Sequence, residues 1–228
     1  MNLARQNCLD HAYGAVRLLR NSLMALALSL TTVAAEPVTV VALGDSLTQG
    51  YGLPAQEGFV PQLQAWLEAQ GVEATITNAG VSGDTSAGGL SRLEWSLSGE
   101  VEALIVNLGG NDVLRGLDPD VTRANLEGIL EGAQERNLPV LLIGMPAPGN
   151  FGPDFKTRYD AIFPDLSERF DTLLVTDFFA PLRAESKDPG AIVAYMQGDG
   201  IHPNAEGVAR IVEAVGPVVM KLIVAAQP

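Results

Sequence analysis

Short apolar runs alternate along the chain with longer stretches in which apolar residues recur at helical spacing. Continuous apolar runs of this length are typical of strands that are buried on both faces, as in a parallel sheet covered by helices. We therefore predict strands over 38–43, 74–77, 103–108, 140–144 and 173–176.

The stretches between these strands predict helices over 59–70, 86–97, 119–136 and 154–170. Pro61 falls in the first turn of the first helix, where proline is tolerated, and Asp118 is placed to cap the third. Pro203 opens a terminal helix, in which Gly216 and Pro217 predict a bend.

The predicted order is strand, helix, strand, helix, repeated through five strands. With right-handed crossovers, this order gives a three-layer, doubly wound α/β domain with a five-stranded parallel sheet. Such sheets bind ligands beyond the carboxyl ends of their strands, so the residues at those ends are the candidates for function.

The first 35 residues have a character of their own. Arg17 and Arg20 precede an apolar run over 23–30, and the small residues Ala34 and Ala35 follow it. This pattern predicts a signal peptide over 1–35 and a folded domain over 36–228. Because the run is shorter than the roughly 20 residues that cross a bilayer, no stable membrane anchor is predicted. We expect an exported protein, either periplasmic or secreted.

Composition narrows the class of partner. Hydrophobic residues make up 47% of the chain and charged residues 18%, a balance typical of a folded globular protein. The net charge is −13, and it becomes −15 without residues 1–35, because these carry three arginines and one aspartate. A strongly acidic protein repels phosphate backbones, so we expect no nucleic-acid partner.

Beyond residue 35 the chain has no cysteine and a single histidine, His202. This inventory excludes a disulfide, a cysteine nucleophile and a cysteine–histidine zinc site within the predicted domain. The sequence contains no other evident metal-binding cluster, and we predict neither a metal nor a cofactor.

Ser46 directly follows the first predicted strand, in the sequence Gly44-Asp45-Ser46-Leu47. If a helical turn begins there, its backbone amides favour an anion or a developing oxyanion beside the hydroxyl. Ser46 is therefore a candidate nucleophile, although a serine at such a turn is more often a helix cap.

Asp199 and His202 lie between the last predicted strand and the terminal helix. A histidine that acts as a base needs an acceptor on its second ring nitrogen, and a carboxylate three residues earlier can reach it through a glycine turn. The alternative is a histidine that only caps or packs at a helix start.

Two further strand ends carry donors that suit an oxyanion. The third strand is followed by Gly109-Gly110-Asn111-Asp112, in which Asn111 offers a side-chain amide. The second is followed by a segment in which Gly83 can present a backbone amide. Taken alone, each segment is more often an ordinary turn.

Together, these four blocks resemble the SGNH, or GDSL, family of hydrolases, and most closely its small exported thioesterases, lysophospholipases and arylesterases. The resemblance covers the chain from about residue 38 to its end and is specific in order and spacing. It implies a flavodoxin-like SGNH-hydrolase fold, with Ser46, Asp199 and His202 as the catalytic residues.

The resemblance also implies the remaining site residues. An oxyanion hole would be formed by the amides of Ser46 and Gly83 and the side chain of Asn111, with Gly80 as a competing candidate for Gly83. The loops that carry Val113, Leu114 and Phe151 would line an acyl pocket. Asp45 and Asp112 flank these groups, and we expect them to brace the loops through backbone hydrogen bonds.

The implied activity is that of an exported serine esterase that hydrolyses aryl or acyl esters through an acyl-enzyme. Thioesters and lysophospholipids are further candidate substrates, so the expected partner is a small-molecule ester or lipid.

Another serine-hydrolase scaffold, the α/β-hydrolase fold, is excluded by its motif. That fold requires Gly-x-Ser-x-Gly, whereas Leu47 and Thr48 follow Ser46 here.

An alternative from another class is a non-catalytic, flavodoxin-like module that holds a phosphate or a flavin through the loop of Ser46 and Thr48. Such a binder has no evident need for the turn between Asp199 and His202. The hydrolase is therefore the preferred interpretation.

Overall fold

Five parallel strands form one sheet in the order β2-β1-β3-β4-β5. The computed structural model describes residues 36–183 and 189–227, and the signal peptide predicted over 1–35 lies outside these residues. The strands are β1 Val38–Gly44, β2 Ala74–Gly80, β3 Ala103–Asn107, β4 Val140–Ile143 and β5 Leu173–Val175.

Ten α-helices connect or follow these strands in the described part of the chain. They are α1 Ser46–Gln49, α2 Phe59–Ala69, α3 Ser86–Ser91, α4 Leu93–Ser96, α5 Gly110–Leu114, α6 Pro119–Glu135, α7 Pro153–Asp160, α8 Ile162–Phe170, α9 Ala180–Arg183 and α10 Ala205–Ala226. Short 3-10 helices span Ala55–Glu57, Gly149–Phe151 and Pro189–Tyr195.

Helices cover both faces of the sheet. Successive residues of a strand point to opposite faces, so a strand whose residues are all apolar must be covered on both. Ala103 and Ile105 of β3 pack in the apolar cluster that includes α2 and α10. Leu104 and Val106 pack in the cluster that includes α6 and α8. The predicted three-layer, doubly wound parallel fold is confirmed, since the sheet is all-parallel and lies between two helical layers.

The register of the sheet brings three strand ends to the same level. Gly44 of β1 pairs with Gly80 of β2 on one side and with Asn107 of β3 on the other. The segments that follow these three residues therefore begin side by side at one edge of the sheet.

Two predicted helices are divided in the structure. The helix predicted over 86–97 is interrupted at Arg92, whose side chain turns inward to bind Asp84 and backbone carbonyls. The helix predicted over 154–170 is interrupted at Ala161, because Pro164 has no amide proton to continue the helical hydrogen bonds.

The terminal helix begins at Ala205, where Asn204 caps it, two residues later than predicted. It continues without interruption through Gly216 and Pro217. Gly216 packs beneath the Trp66 ring, and a side chain there would clash with it, since an added Cβ would lie 2.6 Å from two ring carbons. Among the described residues, no helix has the length and apolar character required to cross a bilayer.

Candidate active site

Ser46 is the first residue of α1, directly beyond the end of β1. Asp45 caps this helix, because its Oδ1 accepts a hydrogen bond of 3.0 Å from the Leu47 amide. Gly44 allows the turn to close tightly, since an added Cβ would lie 2.0 Å from Thr48 Oγ1 and 2.9 Å from the Asn107 carbonyl oxygen. The strand end and its cap therefore fix the position of the Ser46 hydroxyl.

His202 bridges Ser46 and Asp199. Its Nε2 lies 2.8 Å from Ser46 Oγ, and its Nδ1 lies 2.7 Å from Asp199 Oδ2. A carboxylate can only accept a hydrogen bond, so this contact favours a proton on Nδ1 and leaves Nε2 free to accept one from Ser46. The structure thus brings together the three residues that the resemblance implies as catalytic.

Asp199 is held in its ionised form by hydrogen bonds. The contact with the His202 ring is the largest cause that lowers its pKa, to about 2. Its Oδ1 also accepts the backbone amides of Ile201 and His202, at 2.9 and 3.0 Å. The carboxylate is therefore charged at neutral pH and oriented toward the imidazole.

The segment that carries His202 is anchored to the rest of the site. Met196 and Pro203 form an antiparallel bridge, and the backbone N–H of Gln197 donates to the His202 carbonyl oxygen at 2.8 Å. The Gln197 side chain donates to the Tyr51 carbonyl oxygen at 2.8 Å. The Tyr51 ring in turn lies 4.7 Å from the imidazole, centre to centre.

Asn111 and Gly83 face the same space as Ser46. Asn111 is in the first turn of α5, and its Nδ2 donates a hydrogen bond of 3.1 Å to Asp45 Oδ2. Gly83 adopts a left-handed conformation, with φ of +82°, and its carbonyl oxygen accepts from Arg115 at 2.8 Å. The amide of Gly80 is engaged elsewhere, since it donates to Asn78 Oδ1 at 2.9 Å.

The two aspartates beside these groups are both buried. Burial raises the pKa of Asp45 to about 6, against the lowering effect of its hydrogen bonds from Leu47 and Asn111. Asp112 accepts the Ser86 amide at 2.8 Å and the Thr122 hydroxyl at 3.2 Å. Asp45 therefore joins α1 to α5, whereas Asp112 joins α5 to α3 and α6, outside the residues that line the cavity.

A cavity of about 730 Å³ opens above Ser46 and His202. Val113 and Leu114 line it, as the resemblance implies. Phe151 does not line the cavity. Its ring packs against that of Phe155, with 4.9 Å between the ring centres, and lies beside Gly116.

Other cavity residues were not predicted from the sequence, namely Tyr51, Phe179, Arg183, Ile192, Met196 and Ile201 among others. Two of them had a usable signal, because Tyr51 follows the Ser46 block closely and Ile201 lies between Asp199 and His202. The others come from segments without a motif. Within 36–183 and 189–227, no group of three or more histidine, cysteine, aspartate or glutamate side chains could hold a metal ion.

The chain is similar to a protein family and to several known proteins. Residues 42–210 match the model of the GDSL-like Lipase/Acylhydrolase family. Esterase TesA of Pseudomonas aeruginosa is 37% identical over 87% of this chain and 96% of its own length. The Thioesterase 1/protease 1/lysophospholipase L1 of Escherichia coli is 35% identical over 78% of this chain and 81% of its own length.

A solved structure is also similar, that of AlinE4, an SGNH-hydrolase family esterase. It is 44% identical, with a TM-score of 0.66, over 82% of this chain and 96% of AlinE4. The fold and the strand-end site define a carboxylic ester hydrolase of the three-layer α/β type. The chain belongs to the GDSL-like lipase/acylhydrolase, or SGNH, family. Membership in this family does not favour a phosphate- or flavin-binding module.

Proposed function

We propose that this protein is an exported serine esterase that cleaves acyl and aryl esters through an acyl-enzyme. Ser46 is the nucleophile, His202 the general base and Asp199 the residue that orients the imidazole. The observation that carries the proposal is the 2.8 Å contact between Ser46 Oγ and His202 Nε2, made across 156 positions of sequence.

In the first step, Ser46 Oγ forms a bond to the acyl carbon while its proton passes to His202 Nε2. The π electrons of the carbonyl group move onto the carbonyl oxygen. The positive charge that develops on the imidazole is stabilised by Asp199, whose depressed pKa keeps it ionised.

The tetrahedral oxyanion requires donors at the same edge of the sheet. The amides of Ser46 and Gly83 and the Asn111 side chain are suited to this role, because all three residues line the cavity. We assign the second amide to Gly83, since the Gly80 amide is already bound by Asn78. One such donor is worth about 3 kcal/mol in the transition state.

The intermediate collapses when the leaving oxygen or sulfur takes the proton from His202, and the bond between this atom and the acyl carbon breaks. A water molecule then attacks the acyl-enzyme and gives its proton to the same nitrogen. Ser46 recovers its proton as the acid departs, so the cycle is complete without a cofactor.

The cavity supports an acyl or aryl group as the part of the substrate that binds. Apolar side chains form much of its wall, and we assign the acyl contacts to Val113 and Leu114 and not to Phe151. The names of the relatives add thioesters and lysophospholipids as candidate substrates. The volume of the cavity and its apolar lining are typical of sites that bind small lipid-like molecules.

Export is proposed from the leader pattern of residues 1–35. Mass determination of the protein recovered from the periplasm or the medium tests it. A mass that lacks about 35 residues supports export. A full-length protein retained in the cytoplasm contradicts it.

Substitution of Ser46 by alanine tests the nucleophile. We expect kcat for a nitrophenyl ester to fall by about 10⁴-fold or more and covalent labelling by a fluorophosphonate to disappear. Ser91→Ala is the matched control, because Ser91 is an exposed serine of α3 whose hydroxyl donates to the Gly88 carbonyl oxygen and which does not line the cavity. A Ser46→Ala protein that keeps activity and labelling would exclude the assignment.

A chain-length series of nitrophenyl esters, compared with an acyl thioester and a lysophospholipid, tests the substrate class. The cavity predicts a preference for acyl groups longer than acetyl. Preferential hydrolysis of acetate esters would contradict the assignment of Val113 and Leu114.

A further inference from the structure

Asp45 connects the nucleophile to the side chain of Asn111. One oxygen of its carboxylate accepts the Leu47 amide within the helix that Ser46 begins. The other oxygen accepts Asn111 Nδ2, across 66 positions of sequence. The side chain is only 2% exposed, so water does not compete for these two contacts.

We propose that Asp45 is a positioning residue that keeps the donor end of the Asn111 amide directed at the acyl oxygen. The inference rests on the proposed function, in which Asn111 stabilises the oxyanion. It gives Asp45 a task beyond capping α1, because the carboxylate then sets the chemistry of a group that contacts the substrate.

The reasoning follows from the two unlike ends of a side-chain amide. Its nitrogen carries two hydrogens, whereas its oxygen only accepts. A carboxylate also only accepts, so Nδ2 of Asn111 must face Asp45 and the amide oxygen cannot. One hydrogen of Nδ2 is then bound by Asp45, and the second stays available to the cavity that Asn111 lines.

Gly110 makes room for this contact. A Cβ added at Gly110 would lie 3.2 Å from Asp45 Oδ2 and 3.1 Å from Met145 Sδ, which is tighter than ordinary packing. The absence of a side chain therefore lets the carboxylate approach α5 closely enough to reach Asn111. This accounts for a glycine directly before the asparagine.

Asp45→Asn is the variant that tests the proposal, because it keeps the shape of the side chain. Its carbonyl oxygen can still cap α1, but its amide nitrogen then faces Asn111 and favours a flipped Asn111 that presents oxygen to it. We expect kcat to fall by roughly 100-fold and KM to stay within about threefold, as for loss of one oxyanion donor.

Coupling to Asn111 separates positioning from a general structural effect. Asn111→Ala removes the donor outright, so the double variant Asp45→Asn/Asn111→Ala is expected to match Asn111→Ala within about threefold. A double variant whose loss in kcat is the product of the two single losses would overturn the proposal. So would an Asp45→Asn protein with kcat within about threefold of the wild type.

Asp112→Asn is the matched control, since it removes another buried carboxylate next to Asn111 that bonds Ser86 and Thr122 instead. We expect a lower unfolding temperature with kcat within about threefold. The specific role of Asp45 would be overturned if Asp112→Asn lost as much kcat as Asp45→Asn and if this substitution caused no further loss in an Asn111→Ala background.

The single variants distinguish a failure of the proposed function from a failure of the positioning role of Asp45. If Ser46→Ala or Asn111→Ala retains wild-type kcat, the assigned nucleophile or oxyanion donor is wrong whatever Asp45 does. If both lose activity and Asp45→Asn does not, only the positioning role fails.

Discussion

Arg92 donates a hydrogen bond of 2.9 Å from Nη2 to the carbonyl oxygen of Gly44, the last residue of β1. The same guanidinium donates to the Ala79 carbonyl oxygen at 2.8 Å and to Asp84 Oδ2 at 2.6 Å. One largely buried side chain therefore ties the ends of β1 and β2 to the loop that follows Gly83. This clamp explains why the predicted helix over 86–97 is interrupted at Arg92.

Replacement of Arg92 by alanine is expected to lower the free energy of unfolding by about 3 kcal/mol or more, because Asp84 is left as a poorly solvated, unpaired charge. Urea denaturation measures this change. Arg136→Ala serves as the control, since its pair with Glu94 is exposed and is worth less than about 1 kcal/mol. Equal stability losses in the two variants would contradict the clamp.

The buried Asp45 predicts an unusual pH dependence of stability. Its pKa is near 3.8 in the unfolded chain and about 6 in the fold, because burial disfavours the charge. Between about pH 4 and 6 the folded state binds more protons at this site, so its contribution to stability decreases as pH rises. The cost of the ionised form reaches about 3 kcal/mol above this window.

Asp45→Asn does not titrate and escapes this cost. We therefore compare the free energy of unfolding of the variant with that of the wild type. The difference, variant minus wild type, is expected to increase by up to about 3 kcal/mol from pH 4 to pH 7.5. Among its neighbours, His202 lowers the pKa of Asp45 and Asp112 raises it, although burial has the largest effect. Urea denaturation at both pH values measures the difference. A pH-independent difference between the two proteins would be inconsistent with the raised pKa.

Asp199→Asn is expected to reduce kcat by about 10³- to 10⁴-fold. The asparagine amide would donate to His202 Nδ1, which moves the ring proton to Nε2 and leaves no acceptor for the Ser46 proton. Asp199 is about one-third exposed, so the unfolding temperature should change little. Steady-state kinetics checks the prediction, with the exposed Asp165→Asn as control. Wild-type kcat in Asp199→Asn would argue against an orienting role.

Leu114 is 57% exposed and lines the cavity. Its truncation to alanine should weaken contacts with longer acyl chains only, so the ratio of kcat/KM for octanoate to acetate esters is expected to fall about 5- to 10-fold. Val121→Ala is the control, because Val121 is a similarly exposed apolar residue of α6 away from the cavity. An unchanged ratio in Leu114→Ala would place the acyl chain elsewhere.

Local pattern was sufficient for the five strands and for the positions of Ser46, Gly83 and Asn111 at strand ends. Buried parallel strands require continuous apolar runs, and the register of a doubly wound sheet then gathers the ends at one edge. The pairing of Gly44 with Gly80 and Asn107 is the direct expression of this rule. The strand-end candidates could thus be identified without any knowledge of contacts.

The helix interruptions and the cavity wall depended on contacts between distant segments. Helical spacing cannot reveal that Arg92 turns inward to Gly44, nor that Phe151 packs on Phe155 away from the cavity. Ile192 and Met196 reach the cavity through a segment with no motif of its own.

Sequence by itself determined the chemistry that is available here, because the predicted domain has one imidazole and a strand-end hydroxyl in a recognisable block. Tertiary structure decided how that chemistry is arranged: a 2.8 Å contact between Ser46 and His202, and a buried Asp45 bound to Asn111. The physical reason is that composition and periodicity record the burial of each position. Hydrogen-bond partners and pKa shifts depend on which residues the folded chain brings within about 3 Å of one another.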